Sequence, residues 1–142
     1  MLTSSRNQFK GTVKAIKKGT VNDEIVIQLT GGTEITSVIT QTSTTALGLK
    51  EGKEVIALIK APWVILATDL EGIRLSARNQ LCGKVKGVNP GAVNSEVIVS
   101  LNGGEELVAI ITCESEKKLG LVTGKKVTAI IKASHIIVGV AE

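Results

Sequence analysis

The polar residues of this chain that could do chemistry come in matched pairs, 72 positions apart. Ser4-x-Arg6-Asn7-Gln8 returns as Ser76-x-Arg78-Asn79-Gln80, Thr40-x-x-Ser43 returns as Thr112-x-x-Ser115, and Lys60-Ala61 returns as Lys132-Ala133. Arg6 and Arg78 offer forked guanidinium donors, and Lys60 and Lys132 offer compact ammonium donors. Ser4, Ser43, Ser76, Ser115, Thr40 and Thr112 add hydroxyls. Ser43 or Ser115 would also stand at the start of a short helix, where free backbone N–H groups favour an anion. Many fixed donors, cations and no paired carboxylate suit a small oxyanion. Each string also has a plainer reading: Thr-x-x-Ser caps a helix, and Ser-x-Arg-Asn makes a turn. Duplication of all three strings together favours a shared binding task.

No catalytic constellation accompanies them, and the chain is expected not to be an enzyme. The one His, His135, is matched by Trp63 in the other half, so it has no part in a duplicated task and reads as a strand-surface or interface residue. Glu24 and Glu96 are duplicated, but each stands alone, as a strand or turn carboxylate would. There is no CxxC pair, no HExxH and no GxxxxGK[ST] phosphate loop. Cys82 and Cys113 face Lys10 and Gln41 in the repeat alignment, so they form neither a duplicated disulfide nor a metal pair. Two unpaired cysteines fit a reducing compartment. No cofactor and no directly ligated metal are expected.

The elements that must position these residues follow from the repeat itself. Residues 4–65 align without a gap on 76–137, and about 29 of the 62 pairs are identical. Length alone would suggest one domain; the repeat predicts two, with residues 1–67 first, 68–75 as linker and 76–142 second. Alternating apolar residues predict strands near 8–18, 23–30, 33–40, 53–60 and 63–67, with glycines between them. Gly31-Gly32 and Gly103-Gly104 read as hairpin turns. Thr42–Leu49 reads as one short helix, with Gly48 as its stop. Five strands with a helix between the third and fourth predict an all-β fold of two tandem OB-like barrels.

Domains of this size bury a modest share of their surface. Val26, Ile56, Leu58 and Ile98 lie on the strand faces opposite the expected core, where a solitary barrel would carry charge. A homo-oligomer is therefore expected. The net charge of +4 describes a solvated basic surface rather than a nucleic-acid patch. The start MLTSSRNQ lacks an apolar targeting core, and no run approaches the roughly 18 apolar residues of a membrane span. A cytoplasmic protein without a membrane partner is expected.

With these residues in view, the strings S-S-R-N-Q and S-A-R-N-Q, G-T-V-N-D-E and G-A-V-N-S-E, L-G-L-K-E-G-K and I-K-A resemble the molbindin, or Mop, domain, here in its tandem, di-Mop form. The likeness covers nearly the whole chain. It implies OB-like barrels assembled into rings, as trimers of tandem chains, and binding of molybdate or tungstate between domains and between subunits. Carried over by position, it implies ligands at Ser4, Ser5, Arg6, Thr40, Ser43, Lys60 and Ala61, and at Ser76, Ala77, Arg78, Thr112, Ser115, Lys132, Ala133 and Ser134. It departs at Pro62, which stands opposite Ser134 and has neither a hydroxyl nor an amide hydrogen. The site using Lys60 should lose up to two donors. The Gly-x-Val-Asn turns, Gly19, Val21 and Asn22 with Gly91, Val93 and Asn94, are candidates for a second class of site and equally for simple turns. The absence of further sequence around the repeats favours storage and buffering over sensing.

Two rivals remain. An anion-sensing regulatory module would show the same residues. An OB-fold nucleic-acid binder would stack bases on aromatics, but Phe9 and Trp63 are the chain's only aromatics and neither is duplicated. Nucleic acid is not an expected partner.

Overall fold

The computed structural model describes residues 1–142. Repeat one runs β1 (Asn7–Lys17), β2 (Asn22–Leu29), β3 (Glu34–Thr40), α1 (Gln41–Ala46), β4 (Glu54–Ile59), a 3-10 turn (Ala61–Trp63) and β5 (Ile65–Ala67). Repeat two runs β6 (Asn79–Pro90), β7 (Asn94–Leu101), β8 (Glu106–Thr112), α2 (Cys113–Leu119), β9 (Lys126–Ile131), a 3-10 turn (Ala133–His135) and β10 (Ile136–Gly139). The helices have six and seven residues, fewer than two turns each. Gly48 and Gly120 follow them in the left-handed region, at φ 61° and 62°, where a side chain would be strained.

Each unit is a curled five-stranded antiparallel sheet, and the sheets do not follow the repeat boundaries. Their strand orders are β10-β4-β1-β2-β3 and β5-β9-β6-β7-β8. The last strand of repeat two completes the sheet of repeat one, and the reverse. The compact units are Met1–Lys60 with Lys132–Glu142, and Ala61–Ile131. The expected division at 67 and 76 describes the duplication but not the folding units. The reason is local equivalence. Leu66 pairs with Ala129 of β9, while Val138 pairs with Ala57 of β4, which is the same register in both sheets. Strand pattern therefore cannot say which copy of the last strand joins which sheet.

The alternation read from sequence is the alternation that buries. Ile25, Ile27, Leu29, Ile35, Val55, Ala57 and Ile59 fill the first core, and Val97, Val99, Leu101, Leu107, Val127, Ala129 and Ile131 fill the second. Gly11 and Gly83 let β1 and β6 approach their neighbours: a Cβ would meet the Gln28 carbonyl oxygen at 2.6 Å and that of Ser100 at 2.5 Å. In the first unit the buried Ser37 hydroxyl donates to the Ile136 carbonyl at 2.7 Å, which ties β3 to the incoming β10. The second unit has Ala109 at that place. No helix is long and apolar enough to cross a membrane.

Candidate functional site

The strand ends and helix starts put the duplicated polar residues into two kinds of cluster. The first lies where β1 begins beside the end of β4. Asn7 stands opposite Ile59, and its buried side-chain amide donates to the Ile59 carbonyl at 3.1 Å. Asn79 does the same to Ile131 at 3.2 Å. Gln8 folds back to the Ser5 carbonyl at 3.2 Å, and Gln80 to the Ala77 carbonyl at 3.0 Å. The Ser5 hydroxyl donates to the carbonyls of Asn7 and Ile59, at 3.0 and 3.3 Å. Asn and Gln are thus duplicated because they hold the Ser-x-Arg loop in shape. Ser4 and Arg6, like Ser76 and Arg78, are exposed on that loop. Lys60, directly after Ile59, is exposed at the same end of the first sheet.

The second cluster lies where the third strand of each repeat turns into its helix. Thr40 is the N-cap of α1: its Oγ1 accepts from the Ser43 N–H at 3.1 Å and its hydroxyl donates to Ser43 Oγ at 2.8 Å. Thr112 and Ser115 repeat this at 3.1 and 2.9 Å. The capping reading is therefore correct, and it leaves something over. A Ser hydroxyl that accepts from Thr keeps its own hydrogen to donate elsewhere. Ser43 is half-buried and Ser115 exposed.

Strand exchange decides what faces these caps. The 3-10 turn Ala133–His135 packs on β3, and the turn Ala61–Trp63 packs on β8. Thr40 and Ser43 therefore share a unit with Lys132, Ala133 and Ser134, whereas Thr112 and Ser115 share one with Ala61 and Pro62. In the second unit these line a cleft of about 400 Å³ containing Pro62, Thr112, Ser115 and Lys118. Sequence reading passed over Lys118, because it is one of the residues the repeats do not share; Ala46 is its counterpart. Another cleft, about 770 Å³, runs along Lys10–Thr12 and Glu54–Ile56. It contains none of the duplicated donors, so its size carries no functional weight.

The Gly-x-Val-Asn turns are engaged in the fold. The Gly19 N–H donates to Asp23 Oδ1 at 3.1 Å, the Gly91 N–H to the Asn94 carbonyl at 2.9 Å, and the carbonyls of Val21 and Val93 each accept from the first residue of the following helix at 2.8 Å. The Val21 and Val93 side chains project into solvent, 70% and 72% exposed. Glu24 and Glu96 lie half-buried on β2 and β7. Cys82 and Cys113 are both free thiols, and no group of acidic, His and Cys side chains is arranged to hold a metal ion.

Comparison with known proteins now bears on this geometry. The TOBE domain model matches twice, at residues 3–66 and 75–138. The chain is 44% identical over 137 residues to the molybdenum-pterin-binding protein MopA of Rhodobacter capsulatus, covering 96% of this chain and 52% of that protein. It is 38% identical over 137 residues to the DNA-binding transcriptional dual regulator ModE of Escherichia coli, covering 96% and 51%. It thus spans about half the length of these curated relatives. Among solved structures, the cytoplasmic molybdate-binding protein ModG with molybdate bound superposes with a TM-score of 0.95 at 51% identity, over 99% of this chain and all of that one. Two TOBE matches covering nearly every residue, and a full-length structural counterpart at that identity, establish that this chain belongs to the TOBE-domain family in its tandem, molbindin form.

Proposed function

We propose that this chain binds molybdate, and tungstate by the same chemistry, as a non-catalytic store and buffer of the oxyanion. The observation that carries the reading is the pair of Thr–Ser hydroxyl caps, Thr40–Ser43 and Thr112–Ser115, each with a Ser hydrogen left to donate. The full-length relative with molybdate bound supports the identity of the ligand. A tetrahedral dianion accepts at every oxygen, so a site of donors alone satisfies it fully. Hydrogen phosphate carries an O–H that would find no acceptor there, and an unsatisfied buried polar group costs about 1–3 kcal/mol.

In this reading the ligands are Ser4, Ser5, Arg6, Thr40, Ser43, Lys60 and Ala61 and their counterparts Ser76, Ala77, Arg78, Thr112, Ser115, Lys132 and Ala133, with Ser134 added from the second repeat. The charged donors lie at strand ends; the hydroxyls lie at the helix caps (Thr40, Ser43, Thr112, Ser115), on the Ser-x-Arg loops (Ser4, Ser76) and on a 3-10 turn (Ser134). Assembly of several chains supplies what one unit does not. Calorimetric titration of the purified protein with molybdate, and metal analysis of the protein as isolated, test the proposal. Saturable binding of more than one molybdate per chain is expected, with none of phosphate at equal concentration. No molybdate binding at millimolar ligand would overturn it.

A second reading has its own support. The chain matches half of a transcription regulator, so the same sites would also serve to sense the anion within a larger protein. Storage requires high occupancy alone, whereas sensing requires a change in another segment on binding.

A further inference from the structure

We infer that Lys118 is an oxyanion ligand particular to the second unit, where it makes up for the donors that Pro62 withholds. The inference rests on the proposed anion sites at the Thr–Ser caps and specifies how the two differ.

The exchange of β5 and β10 sends the two 3-10 turns to opposite caps. The Thr40–Ser43 cap has the turn containing Ser134 in its unit. The Thr112–Ser115 cap has the turn containing Pro62 in its unit. Ser134 is exposed and brings a hydroxyl and a backbone N–H; Pro62 brings neither. On that difference alone the second unit would hold the weaker site.

The helix that follows each cap differs in the opposite sense. Lys118 lies three residues after Ser115, one turn along the same face of α2, and it lines the same cleft as Pro62, Thr112 and Ser115. The other face of α2 is used internally: Cys113 and Glu116 both receive the hydroxyl of the buried Ser95, at 3.3 and 3.2 Å. In α1 the residue one turn after Ser43 is Ala46, which donates nothing. The unit with Ser134 therefore has alanine on the helix, and the unit with Pro62 has lysine. Lys118 is exposed and has no hydrogen bond or ion pair, including with Glu114 four residues earlier. Its ammonium carries three donors on a four-carbon stem, enough to replace the two that proline removes, and it adds a charge opposite the anion.

Lysine in the last turn also favours the helix dipole. That role would act on stability and leave affinity alone, so the two roles separate by experiment. The wild-type protein, Lys118→Met, Lys118→Arg and Thr112→Ala are titrated with sodium molybdate by calorimetry, with thermal melting of each recorded alongside. Lys118→Met should weaken about half of the cap sites ten-fold or more and leave the other half unchanged. Lys118→Arg should restore most of the loss, and Pro62→Ser added to Lys118→Met should restore it by a different donor. If Thr112→Ala weakens binding while Lys118→Met leaves affinity unchanged, the anion site stands and the role of Lys118 is overturned. If neither variant alters binding, the cap cleft is not an anion site and the role of Lys118 falls with it, while molybdate binding by the chain stands.

Discussion

At the level of single residues, duplication separates into three kinds of work. Asn7 and Asn79 join strand to strand. Lys14 with Glu34, and Lys86 with Glu106, make the same exposed ion pair in both repeats, which is worth little to stability. Arg6, Arg78, Lys60 and Lys132 are exposed cations on the loops and strand ends beside those amides. The sequence could mark all of these as shared but could not sort them, because a buried amide bond and an anion contact both preserve a polar residue. Arg78→Ala should weaken molybdate binding by at least about ten-fold, since a hydrogen bond from a charged donor contributes about 1.5–3 kcal/mol. Melting temperature should barely move, because an exposed arginine contributes little packing. Calorimetry and a melt on the same sample check both parts. Ser134→Pro is the matching test on the opposite unit. Pro62 already occupies the equivalent 3-10 turn, so the backbone accepts proline there, while Ala46 offers no replacement donor. The variant should weaken the sites of that unit about ten-fold, and a titration with undiminished affinity would show that Ser134 does not face the anion.

At the level of elements, the strands, the short helices and their glycine stops were legible, because each rests on local alternation or on a positive φ that glycine supplies; the helix read as Thr42–Leu49 runs Gln41–Ala46, and the strand read as 63–67 begins at Ile65 because a 3-10 turn takes Ala61–Trp63. The exchange of β5 and β10 was not. Ile65-Leu66-Ala67 and Ile137-Val138-Gly139 present the same pattern to strands of the same register, so connectivity decides what periodicity leaves open. The exchange also placed Pro62 in the unit of Thr112 and Ser115, a pairing that motif matching cannot supply. It makes a counter-intuitive prediction. A chain ending at Ile131 lacks β10 and should lose amide protection in β1–β4, far from the deletion in sequence, while β6–β9 with β5 stay protected. Hydrogen exchange read by mass spectrometry distinguishes this from loss in repeat two, which the repeat boundaries alone would predict. A milder version is Ser37→Ala. It leaves the Ile136 carbonyl without its donor and should cost the first unit about 1–3 kcal/mol, visible as a lowered first transition in a thermal melt. Ala109 occupies the same position in the second unit without that bond.

At the level of the whole molecule, part of the apolar surface is duplicated, although the exposed Val122 and Trp63 stand opposite Lys50 and His135. Val21 and Val93 are 70% and 72% exposed; Ile65 and Ile137, on the edge strands β5 and β10, are 60% and 56% exposed. A single exposed aliphatic residue needs no explanation. Two pairs exposed to the same degree at equivalent positions of both repeats indicate surfaces that something covers. Unpaired edge strands are a ready template for association, and here they bear isoleucine where a solitary barrel would place charge. A second copy of the chain is the natural cover, since closed symmetric assembly buries the same patch on every subunit. An obligate oligomer is predicted, a trimer on the resemblance to the molbindin domain. Ile137→Asp should dissociate it, because a carboxylate buried without a partner costs several kcal/mol. If anion sites are completed between chains, the same variant should lose molybdate affinity together with assembly, whereas Arg78→Ala should lose affinity and keep assembly. Sedimentation and calorimetry on the two variants decide the matter. A stable wild-type monomer at low micromolar concentration would remove the oligomer, and an Ile137→Asp monomer with full affinity would place every ligand of the site within one chain.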